Sequence, residues 1–151
     1  MNYTTVLLNL PLVSEAKGDK VSTPQEALEI CSDLAFIAQE SFHVLTLTTK
    51  NRLINRHMVS LGTVNSTPVS IPECFRCAIL DAATSIVVAH GHPSGDATPG
   101  TEDIGVTRRL IEAGAIVGIR VLDHIIIGRD SDTGKPVQVS LREQGICQFK
   151  Q

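Results

Sequence analysis

Apolar and polar positions follow two rhythms along the chain, and each change of rhythm marks a new element. A short apolar stretch at the amino terminus gives way to the polar segment SEAKGDKVST, residues 14–23. Leu28, Cys31, Leu34, Ala35 and Ala38 then recur at helical spacing. Thr23 can cap that helix, Pro24 suits its first position and Glu26 falls in its first turn. The spacing predicts a helix from Pro24 to about residue 41. The rhythm then shortens to that of strands in HVLTLTTKN and RLINRHMVSLG, where Lys50-Asn51 suits a tight turn, so a hairpin is predicted.

A second helix is expected from Ser70 to about Thr84, with Pro72-Glu73 in its first turn. SIVVAH is a short, continuous apolar run that suits a buried strand. GHPSGDATPG is a loop by its Gly, Pro, Ser and Asp content. Thr101 is the expected cap of a third helix reaching about Gly118, with Glu102 and Asp103 complementing its dipole. GIRVLDHIIIG reads as another strand, RDSDTGKPV as a turn, and VQVSLREQGI as a short strand and tail. The sum is one mixed α/β domain with helices packed on a sheet, rather than a strict βαβ series.

Composition narrows this picture modestly. At 151 residues and 42% apolar, the chain can bury a core, and its 3% aromatic content requires a core of Ile, Leu, Val and Ala. The net charge of −3 and pI near 5.9 lack the basic surplus that nucleic-acid binders use on phosphates, so nucleic acid is not an expected partner. No apolar run is long enough to span a membrane, and no basic region precedes the apolar start as in a signal peptide. The four cysteines at 31, 74, 77 and 147 are too sparse for a disulfide scaffold, which points to a reducing cytoplasm. Cys74 and Cys77 form a lone CxxC and read as buried or reduced thiols. His43 and His57 lack partners at ligand spacing and read as surface or structural residues. Arg108, Arg109 and Arg120 read as a solvated face.

The chemistry concentrates in AHGHPSGDATPGTED. His90 and His92 end a strand one residue apart, so period-two alternation puts both imidazoles on one side. Asp103 follows eleven residues after His92, at the start of the next helix, across a loop able to fold back. Two imidazoles and a carboxylate suit zinc, and three protein ligands leave a fourth position open for water, as catalytic sites do. Asp96 is a second carboxylate within reach of the same loop.

The string HGHPSGDATPGTEDIGVTRRLIEAGAIVGIRVLDHIIIG resembles the signature of JAB/MPN (JAMM) metalloproteases, in particular their RadC-like branch. The similarity runs over about residues 25–151 and includes TKNRLI and VSLGT. It implies a single mixed-sheet JAB/MPN domain over 24–151, of cytidine deaminase-like three-layer arrangement with flanking helices, and an amino-terminal extension over 1–23. Relatives of this branch commonly carry a helix-hairpin-helix region ahead of the domain; residues 1–23 are too few to hold one, which leaves the branch's association with DNA repair without support here. The family pattern is an upstream Glu, then His-x-His, seven residues, Ser, two residues and Asp. By that resemblance His90, His92 and Asp103 hold one zinc ion per chain, and Glu40 is the base that takes the proton of the attacking water. The activity implied is hydrolysis of an amide bond in a peptide or protein substrate, by a metallopeptidase or isopeptidase. The resemblance leaves the oligomeric state open.

Two positions depart from the pattern. Gly100 stands where the family has its serine, whose hydroxyl helps hold the oxyanion, and Thr101 is adjacent. Gly91 stands where relatives often carry a polar residue. The alternatives are therefore a non-catalytic MPN-type interaction module, which Gly100 favours, and a DNA-repair-associated accessory protein. The branch has a similar LDH, and Asp123 and His124 read either as support for a zinc ligand or the substrate groove, or as polar residues satisfied at a strand edge. Ser94 is expected to shape the loop.

Overall fold

The computed structural model describes residues 18–62 and 69–149. Five strands form one mixed sheet: β1 (Ser41–Leu47), β2 (Leu53–Leu61), β3 (Ser85–Gly91), β4 (Arg120–Arg129) and β5 (Pro136–Ser140). Their order across the sheet is β2-β1-β3-β4-β5, with every neighbouring pair antiparallel except β3 and β4. The parallel pair requires a crossover, supplied by helix α3 (Thr101–Val117). Helix α1 (Pro24–Cys31) covers one sheet face, and α2 (Ile71–Leu80) packs with α3 on the other. This is the three-layer mixed α/β arrangement expected.

Strand alternation explains the two cores. Leu45, Leu47, Val87, Ala89, Ile125 and Ile127 point to the α1 side, against Leu28 and Cys31. Phe42, Val44, Ile86 and Val88 point the other way, against Phe75 and Ala78 of α2 and Leu110 of α3. Strands β1 and β3 are buried along their whole length. Strand β3 therefore reads as a nearly continuous apolar run, whereas β1 buries Ser41, His43 and Thr46 among its apolar residues.

Three predicted boundaries shift. The first helix does not run to residue 41; it stops at Cys31 and tightens into a 3₁₀ turn over Ser32–Phe36. The Ile30 carbonyl, which an extended α-helix would use for residue 34, accepts instead from Arg56 of β2 at 2.9 Å. Arg56 also grips Asp33 through two bonds of 2.7 and 2.8 Å. The second helix ends at Leu80, short of Thr84. Its C-cap Asp81 is taken by Thr46, Asn55 and His57 of the β1–β2 hairpin, and Ala82 turns into the left-handed region. The third helix is capped by Gly100, with Thr101 as its first residue rather than its cap.

The predicted hairpin is present, and Asn51 carries the positive φ of its turn. The extension proposed for 1–23 lies outside the described residues up to 17. Its last residues already pack on the domain, because Lys20 bridges Arg52 and Val21 is 2% exposed. No helix of the described residues is long and apolar enough to cross a membrane.

Candidate metal centre

The candidate residues converge at one end of the sheet. Phe42 of β1 pairs with His90 of β3 in antiparallel register. Glu40, two positions earlier on the same face as Phe42, therefore sits beside the end of β3 where His92 follows. Its backbone is fixed by the Gly62 amide, which donates to the Glu40 carbonyl at 2.7 Å. Asp103 reaches the same point from the first turn of α3. One ligand atom each from Glu40, His90, His92 and Asp103 lies within 4.8 Å of all the others. His90 Nε2 is 3.0 Å from His92 Nε2, 3.1 Å from Asp103 Oδ1 and 3.6 Å from Glu40 Oε1. Asp103 Oδ2 is 3.4 Å from His92 Nε2.

The chemistry of these donors fits a divalent cation. His92 Nδ1 lies 2.7 Å from the Asp96 carbonyl oxygen, which can only accept. In the neutral ring the proton therefore sits on Nδ1, and Nε2 turns a bare lone pair toward the carboxylates. Two carboxylates and such an imidazole nitrogen repel one another unless positive charge lies between them. The local electrostatics show the same demand. The Asp103 carboxylate beside His92 raises that imidazole's pKa, against the opposing effect of burial. Burial would push the Asp103 carboxyl up, but the Gly100 amide, with His90 and His92 whenever those rings carry a proton toward it, holds it well below the usual carboxylate range.

The loop between ligands is built to hold this arrangement. The Gly95 amide closes a turn on the His92 carbonyl at 2.9 Å, and Gly95 has φ +88°. His92 N and Arg129 N tie the loop to β4 through the Ile127 and Gly95 carbonyls, at 2.9 and 2.8 Å. Gly128 makes that approach possible, since a Cβ there would stand 2.0 Å from the Gly95 oxygen. Asp96, the competing carboxylate, accepts from Thr98 instead and contributes its main-chain oxygen to His92. Ser94 accepts from the Asp96 amide and so shapes the loop.

The two departures from the family pattern have structural contexts. A Cβ on Gly91 would stand 2.5 Å from the Leu34 carbonyl oxygen, so the 3₁₀ turn packs where a side chain would be. At Gly100 a Cβ would meet only Asp103 Oδ2, at an ordinary 3.5 Å. The Gly100 amide donates to that same oxygen at 2.7 Å and steadies the carboxylate.

The remaining sequence candidates separate. His124 is fully buried, with Nε2 2.8 Å from His90 Nδ1 and Nδ1 2.5 Å from Thr107 Oγ1. Burial, then the neighbouring His90, push its pKa well down. Asp123 faces the opposite side of β4 and accepts from the His124 and Arg142 amides and from Ser140 Oγ, so it fastens the 140–142 segment. Thr101 is exposed on α3. His43 and His57 are structural: His43 sits between Ser41 and Arg56, and His57 binds Asp81 at 2.6 Å. The four cysteines are free, and burial raises the Cys74 thiol to about 12.

Sequence reasoning missed Thr107 and the role of Arg109. Thr107 follows Asp103 by four residues, a spacing that puts both on one helix face and could have flagged it. Arg109, read as part of a solvated face, lines a cavity of about 320 Å³ that opens over the metal group. Glu102, Val106 and Arg109 of α3 form one wall of it, and Phe42 and Val69 another.

A three-layer domain with a glutamate, two histidines and an aspartate gathered at one sheet end defines a JAB/MPN-type domain with a group able to bind a metal ion. The family model for the RadC-like JAB domain matches residues 21–146, and the chain belongs to this family. A UPF0758 protein of Listeria monocytogenes is 44% identical over 137 residues, covering 90% of this chain and 58% of its own length. A UPF0758 protein of Desulforamulus reducens is 47% identical over 117 residues, with 78% and 49% covered. One from Caldanaerobacter subterraneus is 38% identical over 142 residues, with 93% and 58% covered. The chain thus spans between about half and three-fifths of the length of these relatives.

Proposed function

We propose that this domain is a zinc-dependent hydrolase that cleaves an amide bond in a peptide or protein. The observation that carries the reading is the convergence of Glu40, His90, His92 and Asp103, three of which, Glu40, His90 and Asp103, line a cavity. His90, His92 and Asp103 would hold the ion, one per chain, and Glu40 is the remaining carboxylate of the group. Zinc at this position supplies Lewis acidity, polarising a carbonyl and activating water near neutral pH. Glu40 takes the proton from the attacking water and returns it to the leaving amine, general acid–base work that suits a side chain 26% exposed at the cavity. The groove along α3, with Val69 and Phe42 opposite, offers an extended peptide an apolar floor and Glu102 and Arg109 as polar contacts. The acidic composition supports a protein rather than a nucleic-acid substrate, and a cytoplasmic setting suits four free cysteines.

The test is metal analysis and turnover on the same preparation. Protein reconstituted with zinc is expected to hold one equivalent that His92→Ala abolishes, and to cleave a peptide library in a manner that Glu40→Gln eliminates. Absence of stoichiometric metal, or cleavage that survives Glu40→Gln, overturns the proposal. Gly100 favours a second reading, a non-catalytic MPN-type interaction module. Metal binding without cleavage of any library member would select it.

A further inference from the structure

We infer that His124 and Thr107 are positioning residues, a buried relay that sets the proton on His90 so that its Nε2 faces the metal position bare. The inference rests on the metal-site reading above and adds a device that acts before any metal arrives. The direction of the relay follows from donors and acceptors alone. It starts at the Asp103 main-chain carbonyl, which can only accept. Thr107 Oγ1 stands 2.5 Å from that oxygen, so its single proton goes there. Toward His124 Nδ1, also at 2.5 Å, the hydroxyl then has only lone pairs to offer, and Nδ1 must carry a proton.

His124 is 0% exposed, and its ring nitrogens face Thr107 and His90, with no carboxylate paired to it among the described residues. An imidazolium there would be a buried charge without a counterion, so the ring is neutral and its Nε2 is an acceptor. His90 Nδ1, 2.8 Å away, is therefore the donor, and in the neutral ring His90 Nε2 has no proton. With both rings neutral, any other assignment brings two lone pairs or two protons together at 2.5–2.8 Å.

The relay also closes on itself. It begins at the main chain of Asp103, and the side chain of the same residue stands 3.1 Å from His90 Nε2, where the relay ends. Two candidate ligands on different elements, β3 and α3, are thus tied through a third element, β4, by bonds that all lie beneath the cavity. Phe42 stacks on His90, with ring centroids 5.8 Å apart and planes at 21°, and meets His124 edge-on at 5.4 Å, which holds both rings in line. Outer partners of this kind are typically worth about 10- to 100-fold in metal affinity.

The experiment reads tautomers first and affinity second. In metal-free protein with 15N-labelled histidine, above the pH at which His92 is protonated, long-range 15N–1H correlations assign the proton on each ring. His90 and His124 are expected in the Nδ1–H form. Either one in the Nε2–H form overturns the relay, whatever the protein then does with zinc. Thr107→Val removes the hydroxyl while nearly preserving shape; it is expected to leave both rings in mixed tautomers and to weaken zinc by about 10- to 100-fold in a chelator competition. Thr107→Ser is expected to restore both properties. A folded Thr107→Val protein with unchanged tautomers and affinity refutes the inference. Should wild-type protein show the expected tautomers yet bind no zinc, the metal-site reading falls and the relay stands, so the two failures are distinguishable.

Discussion

Restoring a serine at position 100 separates the chemical role of that site from its structural one. Gly100 has φ −86° and ψ 171°, extended values open to any residue, and a Cβ there meets only Asp103 Oδ2 at 3.5 Å. Gly100→Ser therefore fits without rearrangement. As the N-cap of α3, its hydroxyl can accept from the Asp103 amide, completing a reciprocal cap of which the Gly100 amide to Asp103 bond at 2.7 Å is already one half. Serine is better than glycine at an N-cap by only a few tenths of a kcal/mol. The hydroxyl proton remains available to a developing oxyanion, and one such donor is worth about 100- to 1,000-fold in rate, roughly 2.7–4 kcal/mol. The two effects differ by about tenfold in free energy, so they cannot be confused. The assay is kcat/KM of the zinc-loaded protein on a quenched peptide substrate, beside urea denaturation of the same samples. The expected result is a gain of two to three decades in rate with stability nearly unchanged. Gly100→Ala is the control for shape: it loses about 1 kcal/mol of stability at the cap and gains no rate. A kcat/KM within threefold of wild type in Gly100→Ser, with activity present in both, would refute the oxyanion reasoning.

Gly91→Asn, which installs a polar side chain there, is expected to destabilise by about 1–3 kcal/mol, because its Cβ would stand 2.5 Å from the Leu34 oxygen; urea denaturation reads it, and an unchanged midpoint refutes the contact. Burial, then the Arg56 charge, lower the His43 pKa to about 4, so the unfolded chain binds more protons than the native state between about pH 4 and 6.5. Stability contributed by neutral His43 is therefore full above pH 6.5 and is lost as pH falls toward 4. Denaturation midpoints at pH 5 and pH 7 should lie closer together in His43→Gln than in wild type. Metal at 100 times its dissociation constant adds about 2.7 kcal/mol, so chelation should lower Tm by roughly 5–10 °C in wild type and leave His92→Ala unmoved.

The parts of this fold that could be read from sequence are those governed by neighbours in the chain. The strand SIVVAH, the Asn51 turn and the acidic start of α3 each follow from local pattern, and their residues stand where the pattern puts them. The errors occur where distant side chains capture the end of a helix. Arg56 takes the Ile30 carbonyl and halts α1, and the hairpin takes Asp81 and halts α2. Neither competitor lies within 20 residues of the helix end it captures, so no window of sequence contains both. The site divides along the same line. His90, His92 and Asp103 were legible from spacing, whereas Glu40 needed the resemblance, because a pairing between β1 and β3 carries it across 50 residues. Asp123 and His124 are adjacent in sequence but point to opposite faces of β4, which strand alternation alone could have told apart.

The Gly95–Gly128 contact has a consequence for how the proposed substrate would reach the metal group. With the 92–97 backbone lying directly on β4 and bonded to it at 2.8–2.9 Å, that rim of the site is part of the sheet. It has no slack to open as a lid. On the proposed reading, a long substrate would approach along the wall of α3, past Val106 and Arg109, rather than from above the loop. If the domain is the proposed hydrolase, a rim so fixed would spare it a closing step before chemistry, and the rate of exchange would be set by the groove itself.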